Sequence, residues 1–145
     1  MRSQAAERRA VIAEALTWQG TPWHHRARIK GAGVDCIQFL IGVYHACGLC
    51  PGVDTGYYPP DWMRHRDEER LLNGVRQYAA EIEAPGLGDI VVYRFGRCFS
   101  HAGIFTGPNE IVHAYLAERV VTRGDPDGGR LAGRERKFFS VWGDE

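Results

Sequence analysis

The sequence predicts an α+β fold in which N-terminal helices pack on a C-terminal antiparallel β-sheet. Helical hydrophobic periodicity occurs in three separate segments between residues 4 and 80, whereas short β-branched and aromatic runs follow Pro85. Helices first and strands later, without strand–helix alternation, favour an antiparallel sheet over a parallel one. The 145 residues suit one domain, and we expect residues 1–145 to form it.

The helices are predicted from apolar spacing and from capping residues. The first is expected over residues 4–19 and ends at Gly20. The second should begin at Cys36, with Asp35 as its N-cap and Gly48 as its C-cap, because these residue types satisfy the free backbone groups at helix ends.

A third helix is expected over residues 62–80, with Asp61 as its cap. Residues 23–33 and 51–60 are expected to be loops, the first polar and basic, the second rich in Gly, Pro and Tyr. The predicted strands are residues 89–95, 101–105, 111–115, 119–122 and 137–142, and residues 125–129 are expected to be a loop.

Composition excludes several classes of function. Lys plus Arg and Asp plus Glu are both 18, so the formal net charge is +0, which argues against nucleic-acid binding through bulk charge. No segment approaches the roughly 20 apolar residues that span a bilayer. The N-terminus does not resemble a signal peptide, since Glu14 interrupts its apolar run. We therefore expect synthesis in the cytoplasm and no membrane insertion.

The four cysteines are expected to be reduced, and no cofactor or metal is expected. Cys47 and Cys50 have C-x-x-C spacing, but they lie where the second helix should end. A buried structural pair is therefore favoured over a redox or metal role. A zinc site formed by this pair and two distant histidines remains an alternative.

Three residues in a particular order suggest nucleophilic catalysis. Cys36 lies at a predicted helix start, where unpaired N–H groups stabilise a thiolate, and His101 is a candidate base. His113 lies on the next predicted strand. If Phe105 pairs with Ile111, both rings share one sheet face, about 7–8 Å apart at Cα, and His113 can orient His101.

If Phe105 instead pairs with Glu110, the two rings lie on opposite faces and the arrangement fails. Each residue alone has a simpler interpretation, since a cysteine on an apolar helix or a histidine on a strand is usually structural. Their joint placement favours catalysis.

Five segments resemble, in order, motifs of the NlpC family of papain-like cell-wall peptidases, written there G-T-P-Y, D-C-S-G-F, G-D-L-V-F-F, H-V-G-I-Y and I-H-A. The segments are Gly20-Thr21-Pro22-Trp23, Asp35-Cys36-Ile37-Gln38-Phe39, Gly88-Asp89-Ile90-Val91-Val92-Tyr93, His101-Ala102-Gly103-Ile104-Phe105 and Ile111-Val112-His113-Ala114. The resemblance implies an endopeptidase that cuts peptidoglycan stem peptides, usually between γ-D-glutamate and a diamino acid. It implies Cys36 as nucleophile, His101 as base and His113 as the orienting residue.

The substrate-binding residues implied by the resemblance depart from the family pattern. Ile37-Gln38 replaces Ser-Gly, so Gln38 is a candidate for the serine's substrate contact, although glutamine on a helix surface is more often only solvated. Trp23 matches the family's pocket tyrosine. Its indole N–H, or His24 or His25, could take that tyrosine's role, and packing on the core is the other interpretation of Trp23. The remaining candidates, next to the nucleophile and the base, are Asp35 and Ser100.

A closer likeness is to the phage-associated branch found with tail genes and gene-transfer agents, through residues 30–36 and the Tyr/Pro-rich loop that begins at Tyr57. It implies a bacterial protein that acts at the cell wall as part of a phage tail or tail-like particle, with other particle proteins as partners. The alternatives are a structural tail-tip protein with a weak or inactive peptidase fold, and a papain-like amidase or acyltransferase with another substrate.

Overall fold

The computed structural model describes residues 2–59 and 69–143. Its helices are α1 (Gln4–Thr17), α2 (Cys36–Ala46) and α3 (Arg70–Tyr78). Its strands are β1 (Arg28–Ile29), β2 (Gly33–Val34), β3 (Ala80–Ile82), β4 (Ile90–Phe95), β5 (Cys98–Gly107), β6 (Glu110–Tyr115), β7 (Val120–Gly124) and β8 (Arg136–Ser140). A single 3₁₀ turn, Gly129–Leu131, lies between β7 and β8 in this described part of the chain.

Strands β3 to β8 form a six-stranded sheet in the order β3-β8-β4-β5-β6-β7. Every pair of neighbouring strands is antiparallel. Helices α1 and α2 pack against β5. The predicted α+β class with an antiparallel sheet is therefore confirmed.

Several predicted boundaries differ from the structure. α1 ends at Thr17 rather than residue 19, and β5 begins at Cys98, three residues before the predicted start at His101. α3 begins at Arg70, and the earlier part of the helix expected over residues 62–80, with its cap at Asp61, lies outside the described residues.

Several short elements were not predicted. The segment expected to be a basic loop contains the β1–β2 hairpin, in which Arg28 pairs with Val34, and the short strand β3 follows α3 directly. Strands of two or three residues are too short to show an alternating pattern, so local sequence does not reveal them. The 3₁₀ turn likewise starts at Gly129, inside the expected loop.

The position of α2 depends on the absence of a side chain at Gly42. A Cβ atom there would lie 2.8 Å from the Trp18 ring, so glycine allows the end of α1 to pack directly on α2. Trp18 in turn makes an edge-to-face contact with Phe39 of α2, with ring centroids 6.1 Å apart. Glycine at position 42 lowers the helix propensity of α2, but it allows the Trp18 ring to pack closely against that helix.

The sheet carries a buried cluster on each face. The larger cluster includes the helices and, from β5, Ala102 and Ile104. The smaller one contains Tyr93, Phe105 and Ile111, among others. Among the described residues, no helix is long and apolar enough to cross a membrane.

Candidate active site

Cys36 is the first residue of α2 and lines a cleft of about 490 Å³ together with His101. The Asp35 side chain caps the helix by accepting a hydrogen bond from the backbone N–H of Gln38 at 2.9 Å. The thiol is 7% exposed and its Sγ donates to the backbone carbonyl of Ser100 at 3.5 Å. The predicted nucleophile and the predicted base therefore share one cleft.

A β-bulge in β5 shapes the wall of this cleft. Tyr93 pairs with His101, but the next residue of β4, Arg94, pairs with Phe99, which leaves Ser100 as an extra residue in β5. A bulge twists a strand and changes the direction of the side chains next to it. The bulge therefore sets the positions of both the Ser100 carbonyl, which holds the Cys36 thiol, and the neighbouring His101.

His101 and His113 are brought together by the register of β5 and β6. Phe105 pairs with Ile111, which is the first of the two registers considered above. The Nε2 atom of His101 lies 2.7 Å from the Nδ1 atom of His113, with ring centroids 4.9 Å apart. If His101 donates in this bond, its Nδ1 is free to accept a proton and His113 carries its own proton on Nε2.

Aromatic rings and one glycine enclose the histidine pair. The Tyr115 ring stacks on His113 at 4.5 Å and lies 5.2 Å from His101. Phe95 meets the His101 ring edge-on at 5.9 Å. A Cβ atom at Gly124 would lie 3.0 Å from the Nε2 of His113, so glycine leaves room for that ring. The orientation of both imidazoles is thus restricted by packing.

Burial keeps the Cys36 thiol and both imidazoles neutral at rest. It raises the pKa of the Cys36 thiol well above its usual value, and the Asp35 carboxylate adds to this. Burial also lowers the pKa of His101 well below its usual value, helped by His113 and Arg134, and lowers the pKa of His113 to about 4. The expectation of a thiolate at the helix start is not met, because desolvation outweighs the backbone hydrogen bonds that lower the thiol pKa.

Asp35 and Gln38 belong to a buried network beneath the nucleophile. The second carboxylate oxygen of Asp35 accepts from Tyr58 Oη at 2.6 Å and from the Arg26 N–H at 2.9 Å. The Gln38 amide accepts from Arg28 Nε and donates to Thr55 and Tyr58, the last at 3.1 Å.

Gln38 is therefore neither a solvated surface residue nor part of the cleft wall. Its amide nitrogen holds the loop of residues 51–59 against α2, and its amide oxygen accepts from Arg28 of β1, so both polar atoms are already used. Asp35 does line the cleft, but both of its oxygens are occupied by partners within the chain.

The other candidate substrate-binding residues separate into two groups. Trp23 is half-buried and lines the cleft, as does Ser100. His24 and His25 are not among the described residues that line it. The Nε2 of His25 instead bonds the Tyr58 carbonyl at 2.8 Å, and the exposed His24 interacts with the backbone carbonyl of His25.

Several residues that the structure places at the site were not predicted from the sequence. Tyr58 supports Asp35, and the cleft is also lined by Phe95, Arg97, Tyr115 and Arg130. Tyr115 could have been found, because it lies two residues after His113 on the same strand and hence on the same face. The two arginines lie outside any periodic pattern, and only the folded chain brings them to the cleft.

The C-x-x-C pair takes no part in this cleft. Cys47 is buried, Cys50 is half-buried, and both are free thiols. Within residues 2–59 and 69–143, no group of three or more His, Cys, Asp or Glu side chains is placed to hold a metal ion. The zinc alternative therefore has no geometric support in the described part of the chain.

Comparison with known proteins identifies the fold. No protein-family model matches the chain, and no curated protein matches it in sequence. The NlpC/p60 domain of the peptidoglycan hydrolase SagA is similar over 90% of this chain and 96% of that one, with a TM-score of 0.61 and 20% identity.

NlpC2 from Trichomonas vaginalis is similar with a TM-score of 0.67 and 15% identity over 96% of this chain, which spans about half (47%) of that protein. The peptidoglycan hydrolase RipB from Mycobacterium tuberculosis is similar with a TM-score of 0.61 and 16% identity. The similarity covers 97% of this chain and 68% of that one. The chain therefore has the papain-like α+β fold of NlpC/p60 domains, which agrees with the fold that the sequence motifs implied.

Proposed function

We propose that this protein is a cysteine peptidase that hydrolyses peptide bonds in peptidoglycan stem peptides, at the bond from γ-D-glutamate to a diamino acid. The observation that carries the proposal is that Cys36 and His101 line one cleft, with His113 in hydrogen-bonding distance behind His101. The fold shared with the peptidoglycan hydrolases SagA and RipB supports the choice of substrate.

In the proposed mechanism, Cys36 Sγ attacks the scissile carbonyl while its proton passes to Nδ1 of His101. His113 accepts the Nε2–H of His101 and keeps the ring aimed during the transfer. The imidazolium then protonates the departing amine, which leaves an acyl-enzyme. Water, activated by the neutral His101, hydrolyses the thioester and restores the thiol. The backbone N–H of Cys36 is a donor for the oxyanion.

The neutral resting state fits a proton transfer that occurs together with the attack. The thiol donates to the Ser100 carbonyl at rest, so it must turn from that carbonyl toward His101 when substrate arrives. Forming a thiolate before substrate binds is unfavourable, since burial raises the thiol pKa.

The test is digestion of purified peptidoglycan under reducing conditions, followed by separation of the muropeptides. We expect the wild-type protein to release new stem-peptide fragments and Cys36→Ala to fall to the uncatalysed background, because Cys36 carries the only thiol among the described residues that line the cleft. Cys50→Ala is the matched control, since this half-buried thiol lies outside the cleft, and it should retain activity. Unchanged muropeptides with the wild-type protein would contradict the proposal.

A structural role without catalysis is the second candidate, and the buried neutral thiol is the observation that favours it. The rate of Cys36 alkylation by iodoacetamide, measured against pH with and without a stem peptide, separates the two functions. A peptidase should show peptide-dependent protection of Cys36. A structural protein should show slow alkylation that rises only in alkaline solution and does not respond to the peptide.

We also propose that the protein reaches the cell wall as part of a phage tail or tail-like particle. The support is the resemblance of residues 30–36 and of the loop beginning at Tyr57 to the tail-associated branch. Mass spectrometry of gradient-purified particles from the producing cells tests this. Detection of the protein at constant stoichiometry across the particle fractions is expected, and its absence from them would contradict particle carriage.

A further inference from the structure

Two arginines for which no described residue supplies a carboxylate partner lie on the wall of the candidate active site. Arg97 follows β4, and Arg130 lies in the 3₁₀ turn before β8. Both side chains are exposed and both line the cleft that holds Cys36 and His101. Elements far apart in sequence thus bring two positive charges to the place where the scissile bond would lie.

Neighbouring arginines on the same sheet are paired, which sets these two apart. Arg94 forms an ion pair with Glu135 at 2.9 Å, and Arg136 forms one with Asp127 at 2.7 Å. Within the described part of the chain, Arg97 and Arg130 make no such pair. Arg94 and Arg136 thus each have a carboxylate from the chain itself, whereas the described residues supply none to the two arginines in the cleft.

The cleft is positively charged although the whole chain has a formal net charge of +0. Asp35 is the only acidic residue among the described residues that line it, and that carboxylate is buried and satisfied by Gln38, Arg26 and Tyr58. Arg134 adds further positive charge nearby, with its guanidinium 3.6 Å from the centre of the Phe95 ring. A cleft with this charge attracts an anionic group.

We propose that Arg97 and Arg130 bind a carboxylate of the substrate next to the scissile bond, so that the protein selects acidic peptides. The inference rests on the proposed function and deepens it. A γ-glutamyl linkage leaves the α-carboxylate of the glutamyl residue free beside the reacting carbonyl, and a diamino acid such as diaminopimelate adds a second carboxylate. A guanidinium binds a carboxylate through two parallel hydrogen bonds, which gives direction as well as charge.

Binding can be measured without catalysis in the Cys36→Ala protein, by calorimetry with three tripeptides. The first is L-Ala-γ-D-Glu-meso-diaminopimelate. The second carries a carboxamide in place of the glutamyl α-carboxylate, and the third carries L-Lys in place of diaminopimelate. We expect one of the two replacements to weaken binding by about tenfold or more, the effect of losing a charged hydrogen-bonded pair. Which replacement does so identifies the carboxylate.

Arg97→Gln and Arg130→Gln, each combined with Cys36→Ala, should reduce this discrimination between peptides. Arg9→Gln is the matched control, since it removes the same charge from an exposed position on α1 outside the cleft wall, and it should leave the discrimination intact. Equal affinity for all three peptides, or discrimination that survives both cleft substitutions, overturns the inference.

Turnover separates this inference from the proposed function. If the wild-type protein cleaves the acidic tripeptide, Arg97→Gln and Arg130→Gln should mainly raise KM for that peptide. KM for the peptide that lacks the recognised carboxylate should stay unchanged. If Cys36→Ala discriminates between the peptides but the wild-type protein cleaves none, the hydrolase proposal fails and the carboxylate site stands. Cleavage of acidic and amidated peptides with equal kcat/KM overturns the carboxylate site and leaves the hydrolase proposal in place.

Discussion

Burial governs the chemistry of the individual residues in the cleft. Cys36, His101 and His113 are each at least nine-tenths removed from solvent, with 7%, 7% and 2% of their surface exposed. Both the anionic thiolate and the cationic imidazolium are disfavoured there. The Cys36 thiol and the His101 imidazole are therefore both neutral at rest.

The lowered pKa of His101 should determine how kcat/KM falls at acid pH. His101 acts as a base only when neutral, and His113 is one of the groups that lower its pKa. Activity should persist below the usual histidine pKa of about 6.5. His113→Asn keeps a side-chain acceptor but removes an ionisable neighbour, so the acid limb of kcat/KM should move to higher pH. Looser orientation of the ring should also lower kcat by about 10- to 100-fold.

The measurement is kcat/KM against pH with a stem-peptide substrate, for the wild-type protein and for His113→Asn. The exposed His24 supplies the control His24→Asn, which should leave both the limb and the rate unchanged. An acid limb that stays in place in His113→Asn would show that His113 does not act on His101 as described.

At the scale of elements, one N-cap links the nucleophile helix to the rest of the site. Asp35 caps α2 through Gln38 and binds the buried Tyr58 hydroxyl from the loop of residues 51–59. Ser3 caps α1 in the same manner, through the Ala6 N–H at 3.1 Å, but is exposed. The two caps differ in burial and in the number of partners that depend on them.

Asp35→Ala should therefore destabilise the protein more than Ser3→Ala. We expect a loss of about 2–3 kcal/mol for Asp35→Ala, because the cap is lost and the Tyr58 hydroxyl is left buried without this acceptor. For Ser3→Ala we expect about 0.5–1 kcal/mol, since water can replace the lost hydrogen bond. Urea unfolding of both variants measures the difference. Equal losses would mean that the Asp35–Tyr58 contact adds nothing to the cap.

For the molecule as a whole, the buried histidines couple stability to pH. The pKa of His113 is lowered to about 4 by burial, so the unfolded chain binds a proton there more readily than the folded one. Stability from this group is fully present above pH 6.5, the ordinary pKa, and is lost as pH falls toward 4. The lowered pKa of His101 acts in the same direction.

Between pH 7 and pH 4, His113 should account for a loss of about 3 kcal/mol in the free energy of unfolding. His113→Asn should reduce this dependence on pH by a similar amount, which urea unfolding at the two pH values measures. His24→Asn should leave it unchanged, since that side chain is exposed in the folded protein as well. A wild-type and a His113→Asn protein with parallel acid destabilisation would contradict the assignment.

Local patterns predicted much of the fold and the order of the site residues. Asp35 and Cys36 begin a helix as expected, because capping depends on neighbours in sequence. Two pairings of β5 with β6 were considered, and they place the two histidines on the same face or on opposite faces of the sheet. The folded chain adopts the first, in which Phe105 pairs with Ile111. Gln38 was considered either as a substrate contact or as a solvated helix residue. Its burial was not predicted, because its partners Arg28, Thr55 and Tyr58 come from other segments.

The sequence on its own determines most of the helices and strands and the side chains that each one carries, because periodicity and capping act over a few residues. The tertiary structure alone decides which of those side chains meet and how deeply they are buried. The Ser100 bulge, the cationic cleft wall and the raised pKa of the Cys36 thiol all depend on contacts between distant segments. Desolvation and charge pairing arise only when those segments come together, because both depend on the surroundings of a group in space.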